Sequence, residues 1–164
     1  QVHNLLDLDT HLQTLRALKE QERIRYVGIT HYTVASHESL QRVIEREPLD
    51  FVQLNYSIVT RDAEQRLLPL AAERKVATLI NRPFEDGALF ARVRGKPLPP
   101  WAAEIGCATW AQFFLKFIVS HPAVTCVIPA TAKPHHMHDN VQAGQGVMPD
   151  EKMRARMAQH VASL

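Results

Sequence analysis

Short apolar, β-rich runs alternate with helical stretches along the chain, and this alternation restricts the fold more than any single motif does. The runs lie at 1–4, 24–30, 51–58, 76–80 and 124–128, and residues at helical spacing follow each of them. Strict alternation predicts a parallel sheet with right-handed crossovers, either doubly wound and open or closed as a (β/α)8 barrel. The GxGxxG fingerprint of a dinucleotide-binding open sheet is absent, which favours the barrel. A complete barrel needs about 250 residues, so 164 residues with five strands predict an incomplete TIM barrel of the α/β class. In either architecture, functional residues belong just beyond the C-terminal ends of the strands.

The helical stretches carry their own signals. Residues 10–22 place Leu12, Leu15 and Leu18 on one face behind a Thr10-x-x-Gln13 capping box. Ser36 is positioned to cap a helix to 47 whose inner face is Leu40, Val43 and Ile44, with Pro48 as the stop. A helix over 62–75 carries Leu67, Leu68 and Leu70, and Pro69 in its interior predicts a kink. The segment 81–100 reads as a long Gly-, Pro- and Arg-rich loop, with Arg92, Arg94 and Lys96 on a solvated lid. Gly106 closes a short helix at 101–105. Thr109 caps the next one, whose Trp110, Phe113, Phe114 and Phe117 stripe is core packing. A last helix over 150–163 turns Met153, Met157 and Val161 inward.

Composition narrows the function classes. With 46% hydrophobic and 22% charged residues, the chain reads as one soluble domain over 1–164. A formal charge of +2 with dispersed Lys and Arg argues against nucleic acid. Cys107 and Cys126 have no ligand spacing and read as reduced, buried thiols of a cytoplasmic protein. No apolar run approaches the ~20 residues of a membrane span, so no membrane partner is expected. The chain opens at Gln1 without Met, directly in strand-like sequence, which suggests a start inside a longer fold.

The stretch VTCVIPATAKPHHMHDN at 124–140 is the most informative. It reads as a strand buried on both faces, a small-residue bend at Ala130, Thr131 and Ala132, and a helix opened by Lys133-Pro134. Such a junction offers free backbone N–H groups and a positive dipole end to a phosphate, although ligand-free βα junctions share it. His135 and His138 share a helical face and could hold zinc. With no further acidic or Cys ligand nearby, a solvated or cofactor-facing cluster fits better, and no metal is expected.

Six segments, in order, resemble the aldo-keto reductase family. They are QVHN at 1–4, RIRYVGITHY at 23–32, DFVQLNYS at 50–57, LLPLAAER at 67–74, RPFEDGALF at 82–90 and VIPATAKPHHMHDNV at 127–141. The resemblance implies a (β/α)8 barrel, here from about strand four onward, that reduces an aldehyde or ketone to an alcohol with NADPH, or alternatively NADH. It implies that His3 orients the carbonyl oxygen. The family's proton-donating Tyr and its Lys and Asp partners belong to the preceding half, and Tyr26, Tyr32 and Tyr56 match no position of that acid.

For the cofactor, the resemblance assigns Thr30, His31 and Gln53 to the nicotinamide amide. An amide side chain such as Gln53 suits that task because it offers a donor and an acceptor. Asn81 stands where the family often has an aromatic ring, and Arg82 beside it offers a planar guanidinium. Phe84 through Leu89, with Gly87 among them, match the pyrophosphate loop, and Pro83 just before it is a further cofactor contact. Ala130, Thr131, Ala132, His136 and Asn140 match the adenosine-phosphate pocket, with Asn140 on the adenine, Ile128 as a further cofactor contact, and His136 and His138 where many members place Arg. The segment alone is therefore expected to be inactive. The alternative is a non-catalytic half-barrel that binds or assembles through its exposed strand edges at 1–3 and 124–128, where self-association is expected.

Overall fold

The computed structural model describes residues 1–164. Five strands form one sheet in the order β1-β2-β3-β4-β5, and every neighbouring pair is parallel. They are β1 (Val2–His3), β2 (Gly28–Thr30), β3 (Phe51–Asn55), β4 (Ala77–Asn81) and β5 (Cys126–Val127). Sequential order with parallel pairing is the strand arrangement of a (β/α)8 barrel, and five of its eight strands are present here.

Seven α-helices cover the sheet: α1 (Leu8–Glu20), α2 (His37–Arg46), α3 (Leu67–Glu73), α4 (Ala88–Arg92), α5 (Trp110–Val119), α6 (Pro134–Gln142) and α7 (Glu151–Ala162). Side chains alternate along each strand, so Val2, Ile29, Val52, Leu54 and Ile80 face the helices and are buried. They join the stripe Leu40, Val43 and Ile44 of α2 and Phe113, Phe114 and Phe117 of α5 in one cluster of 30 buried hydrophobic residues. Gly28 permits the tight β2–β3 approach, because a Cβ there would sit 2.6 Å from the Phe51 carbonyl oxygen.

Several local expectations change in the folded chain. Helix α1 begins at Leu8 with Asp7 in a left-handed conformation, so Thr10 lies inside it and the capping box does not form. Ser36 does not cap α2, and its hydroxyl turns to His31 instead. Pro69 causes no kink. The helix starts only at Leu67, which puts Pro69 in the first turn, where its missing N–H has no partner to lose.

Strand β5 is not buried on both faces. It pairs only with β4, Cys126 is exposed and Val127 is half-buried. Cys107 alone is the buried thiol, and burial pushes its pKa up to about 11. The segment 81–100 is not a free lid. It contains α4, Arg92 donates to the Ala162 carbonyl, and Lys96 donates to that of Leu164 at 2.5 Å. Lys116 is fully buried, and its ammonium donates to the carbonyls of Ile105, Gln145 and Val147, pinning the loop between α6 and α7.

Candidate cofactor cleft

Register places the candidate residues along the C-terminal rim of the sheet. His3 pairs with Thr30, Thr30 with Gln53 and Gln53 with Leu79, so their side chains share the inner face. Asn55 and Asn81 form the next row. Thr30 is buried, Gln53 half-buried and His3 exposed. The Asn81 amide nitrogen donates to the His31 carbonyl at 3.4 Å, which aims its Oδ1 away from that carbonyl. This Oδ1 is buried and has no hydrogen-bond partner. An orphaned acceptor at a strand end is a docking point for a donor.

The His31 ring is engaged within its own loop. Its Nδ1 accepts the backbone N–H groups of Tyr32 and Thr33 at 3.0 and 3.3 Å. The ring proton therefore sits on Nε2, which faces the Ser36 hydroxyl at 3.0 Å. Burial pushes the His31 pKa down, and the neighbouring charges of His3 and His37 push it further the same way. Both ring nitrogens are committed within its own loop, so His31 shapes the rim and supports Asn81 through its carbonyl.

Beyond β4 and β5 the chain opens a cleft. Arg82, Pro83, Phe84 and Gly87 form one wall of a cavity of about 340 Å3, and Ile128 and Ala130 form the other. Phe84, Phe90 and Ala130 are shared with an adjoining cavity of about 460 Å3, which continues past Thr131 to His136, Asp139 and Asn140. Asn140 is buried. The Asp139 carboxylate is held by the Thr109 hydroxyl at 2.8 Å and the Gln112 amide at 2.6 Å. Thr131 Oγ1 accepts the Lys133 N–H at the start of α6. Leu89 lies in the core and Ala132 is exposed, and neither lines these cavities.

Sequence reasoning missed part of this cleft. Trp110, assigned wholly to the core, is half-buried and lines the larger cavity, its indole N–H fixed on the Lys96 carbonyl at 2.9 Å. Phe90 was not singled out either. Trp110 directly follows the Thr109 cap, and a residue in the first turn of a helix beside a strand-end loop is the signal that could have found it. His135, His136 and His138 are exposed, and no group of three His, Cys, Asp or Glu side chains converges to hold a metal ion. No helix is long and apolar enough to cross a membrane.

Residues 1–160 match the profile of the Aldo/keto reductase family. The chain belongs to the aldo/keto reductase family. An uncharacterized oxidoreductase of Schizosaccharomyces pombe is 26% identical over 129 residues, which cover 79% of this chain and 40% of that protein. A probable aldo-keto reductase of Glycine max is 29% identical over 73 residues, 44% of this chain and 20% of the relative.

Among solved structures, an aldo-keto reductase of Bacillus halodurans in its holo form superposes with a TM-score of 0.71 at 20% identity, covering 97% of this chain and 58% of its own. An aldo/keto reductase of Klebsiella pneumoniae, solved with NADP and acetate, gives 0.70 at 19% identity and covers 91% and 52%. These likenesses establish the fold. This aldo/keto reductase chain thus spans 40% or less of these two sequence relatives and little more than half of these solved structures.

Proposed function

We propose that this chain forms the cofactor-holding arc of an NAD(P)H-dependent reductase that converts an aldehyde or ketone to an alcohol. The observation that carries the reading is the cleft beyond β4 and β5. It gathers, from two distant stretches, Arg82, Pro83, Phe84 and Gly87 with Ile128, Ala130, Thr131, His136 and Asn140. The donor set fits a nicotinamide dinucleotide. The orphaned Asn81 Oδ1 suits a carboxamide N–H, and Asn140 brings its amide to the lining of the larger cavity. The Klebsiella relatives solved with NADP and with NADPH favour NADPH, with NADH as the alternative.

A bound NAD(P)H would supply the hydride for the carbonyl carbon. In this reading Thr30, Gln53 and Asn81 hold the carboxamide end, and His3 on the same rim orients the carbonyl oxygen. The backbone of 84–87 wraps the pyrophosphate, and Asn140 recognises the adenine. Tyr56 does not donate the proton. It is fully buried, its hydroxyl donates to Glu64 at 2.5 Å, and burial followed by that bond pushes its phenol far up. We expect this segment to bind cofactor without turning over a carbonyl by itself.

Fluorescence titration of the purified chain with NADPH and NADH tests the reading. Saturable binding is expected, with Gln53→Ala and Asn140→Ala each weakening it by about tenfold, the worth of one lost hydrogen bond at the upper end of its range. The melting midpoint should hardly move. Absence of saturable binding at millimolar dinucleotide would sink the proposal.

A further inference from the structure

The loop 82–87 places two carboxylates beside a cleft that, on the reading above, receives an anionic pyrophosphate. Asp86 lines the cleft, but Arg82 pairs with it at 2.7 Å and lines the cleft too, so that charge is neutralised. Glu85 has no cationic partner within salt-bridge distance, whether Arg, Lys or His. Its carboxylate accepts the Ser57 hydroxyl at 2.5 Å, and Ser57 is fully buried two residues past the end of β3. The Ser57 oxygen in turn accepts the N–H groups of Val59 and Thr60 at 3.2 and 2.9 Å, which fixes the direction of its proton toward Glu85. Phe84 and Asp86 line the cavity, whereas Glu85 between them does not.

The backbone accommodates this arrangement at a cost. Arg82, Glu85 and Asp86 all sit in the left-handed region, at φ 52°, 51° and 53°. Non-glycine residues hold that conformation only where surrounding contacts impose it. The Ser57–Glu85 bond is the one hydrogen bond that joins residues 82–87 to the loop after β3.

We propose that Ser57 is a positioning residue that retracts the Glu85 carboxylate from the cleft, so that the loop can receive an anionic dinucleotide. The inference rests on the dinucleotide reading of this cleft. Without the hydroxyl, the Glu85 carboxylate is free to rotate toward the phosphates, where like charges in a partly desolvated cleft repel strongly. Ser57 therefore acts on affinity through Glu85 and makes no contact with the cofactor. The proposal predicts that the defect of removing the hydroxyl depends on the charge of residue 85.

The test is a double-mutant cycle read by NADPH fluorescence titration at low and high salt, with thermal midpoints alongside. Ser57→Ala should weaken NADPH binding about tenfold at low ionic strength, and most of that loss should vanish near 1 M salt, where screening acts over about 3 Å. Glu85→Gln should bind as tightly as wild type or tighter. The pair Ser57→Ala/Glu85→Gln should bind far better than Ser57→Ala alone. A purely structural role for the bond predicts additive losses, no salt dependence and no rescue, and that pattern would overturn the proposal. If Ser57→Ala does not fold, Glu85→Ala must still bind at least as tightly as wild type, and weaker binding would overturn it. Wild-type protein that binds no dinucleotide would overturn the reading of the cleft and this proposal with it.

Discussion

Arg154 on α7 reaches Tyr56, 98 positions away, at 2.7 Å, and Glu64 at 2.8 Å, and it also donates to the Phe117 carbonyl and to Ser120. Its guanidinium lies 4.2 Å from the Phe117 ring centre. Asn81 and Asn140 on the rim present the opposite picture: the buried Asn81 Oδ1 is orphaned, and Asn140 lines the larger cavity. The first cluster satisfies every strong polar group from within and so locks α7 to the segment after β3. The second leaves capacity unused, and unused capacity is what a ligand needs. Buried polarity alone does not mark a site. An unsatisfied group at a strand-end rim is the stronger pointer.

Removing Arg154 should break this comparison most severely. Arg154→Ala leaves Glu64 and the Tyr56 hydroxyl with only Arg61 as a cation, and it should cost about 3–5 kcal/mol of stability. Urea unfolding monitored by circular dichroism checks it, and a loss under about 1 kcal/mol would show the network to be dispensable.

The pH limits of stability should follow from the same cluster. Burial pushes the Glu64 carboxyl up, but hydrogen bonds from Arg61 and Tyr56 and the nearby Arg charges outweigh it, and the net shift is downward from 4.5. A lowered carboxyl stabilises the fold above its unfolded value, and that contribution disappears as pH falls through the folded value. The protein should therefore lose stability below about pH 4.5, and Glu64→Gln should flatten that acid limb. Tyr56 shifts the other way. Its contribution is complete below about pH 10, the ordinary tyrosine value, and is lost as pH rises beyond it, because the unfolded phenol releases its proton first. Thermal melts across the two limbs test both signs.

Asn81→Leu sharpens the comparison with the smallest change in stability. Replacing an amide whose buried Oδ1 is orphaned and whose nitrogen makes one long bond, 3.4 Å to the His31 carbonyl, by an apolar side chain should shift stability by less than about 1 kcal/mol in either direction. Cofactor affinity should fall about tenfold all the same. A large loss of stability with intact binding would reverse the assignment of the two clusters.

Much of the scaffold was legible from local pattern. The stripe Leu40, Val43 and Ile44, the Thr109 cap, the Pro134 helix start and the left-handed Gly106 all stand where spacing and residue type put them. Boundaries were less legible. The run 24–30 yields only three strand residues and 124–128 only two, because apolar character extends beyond the positions that find a ladder partner. In the cleft, Phe84, His136 and Asn140 were recognisable from ordered motifs, whereas Trp110 and Phe90 were hidden because helical spacing reads an aromatic stripe as core.

By itself the sequence determined the parallel α/β alternation, the inward faces of α2, α5 and α7, and the concentration of candidate residues at strand ends. These follow from periodicities of two and 3.6 residues, which act between near neighbours. Only the tertiary structure decided which polar groups are satisfied. The bonds from Arg154 to Tyr56, Ser57 to Glu85 and Asn81 to His31 join residues 98, 28 and 50 positions apart. Whether a buried oxygen finds a donor depends on which distant loops the folded sheet brings within about 3 Å, the reach of a hydrogen bond. No local pattern records that distance.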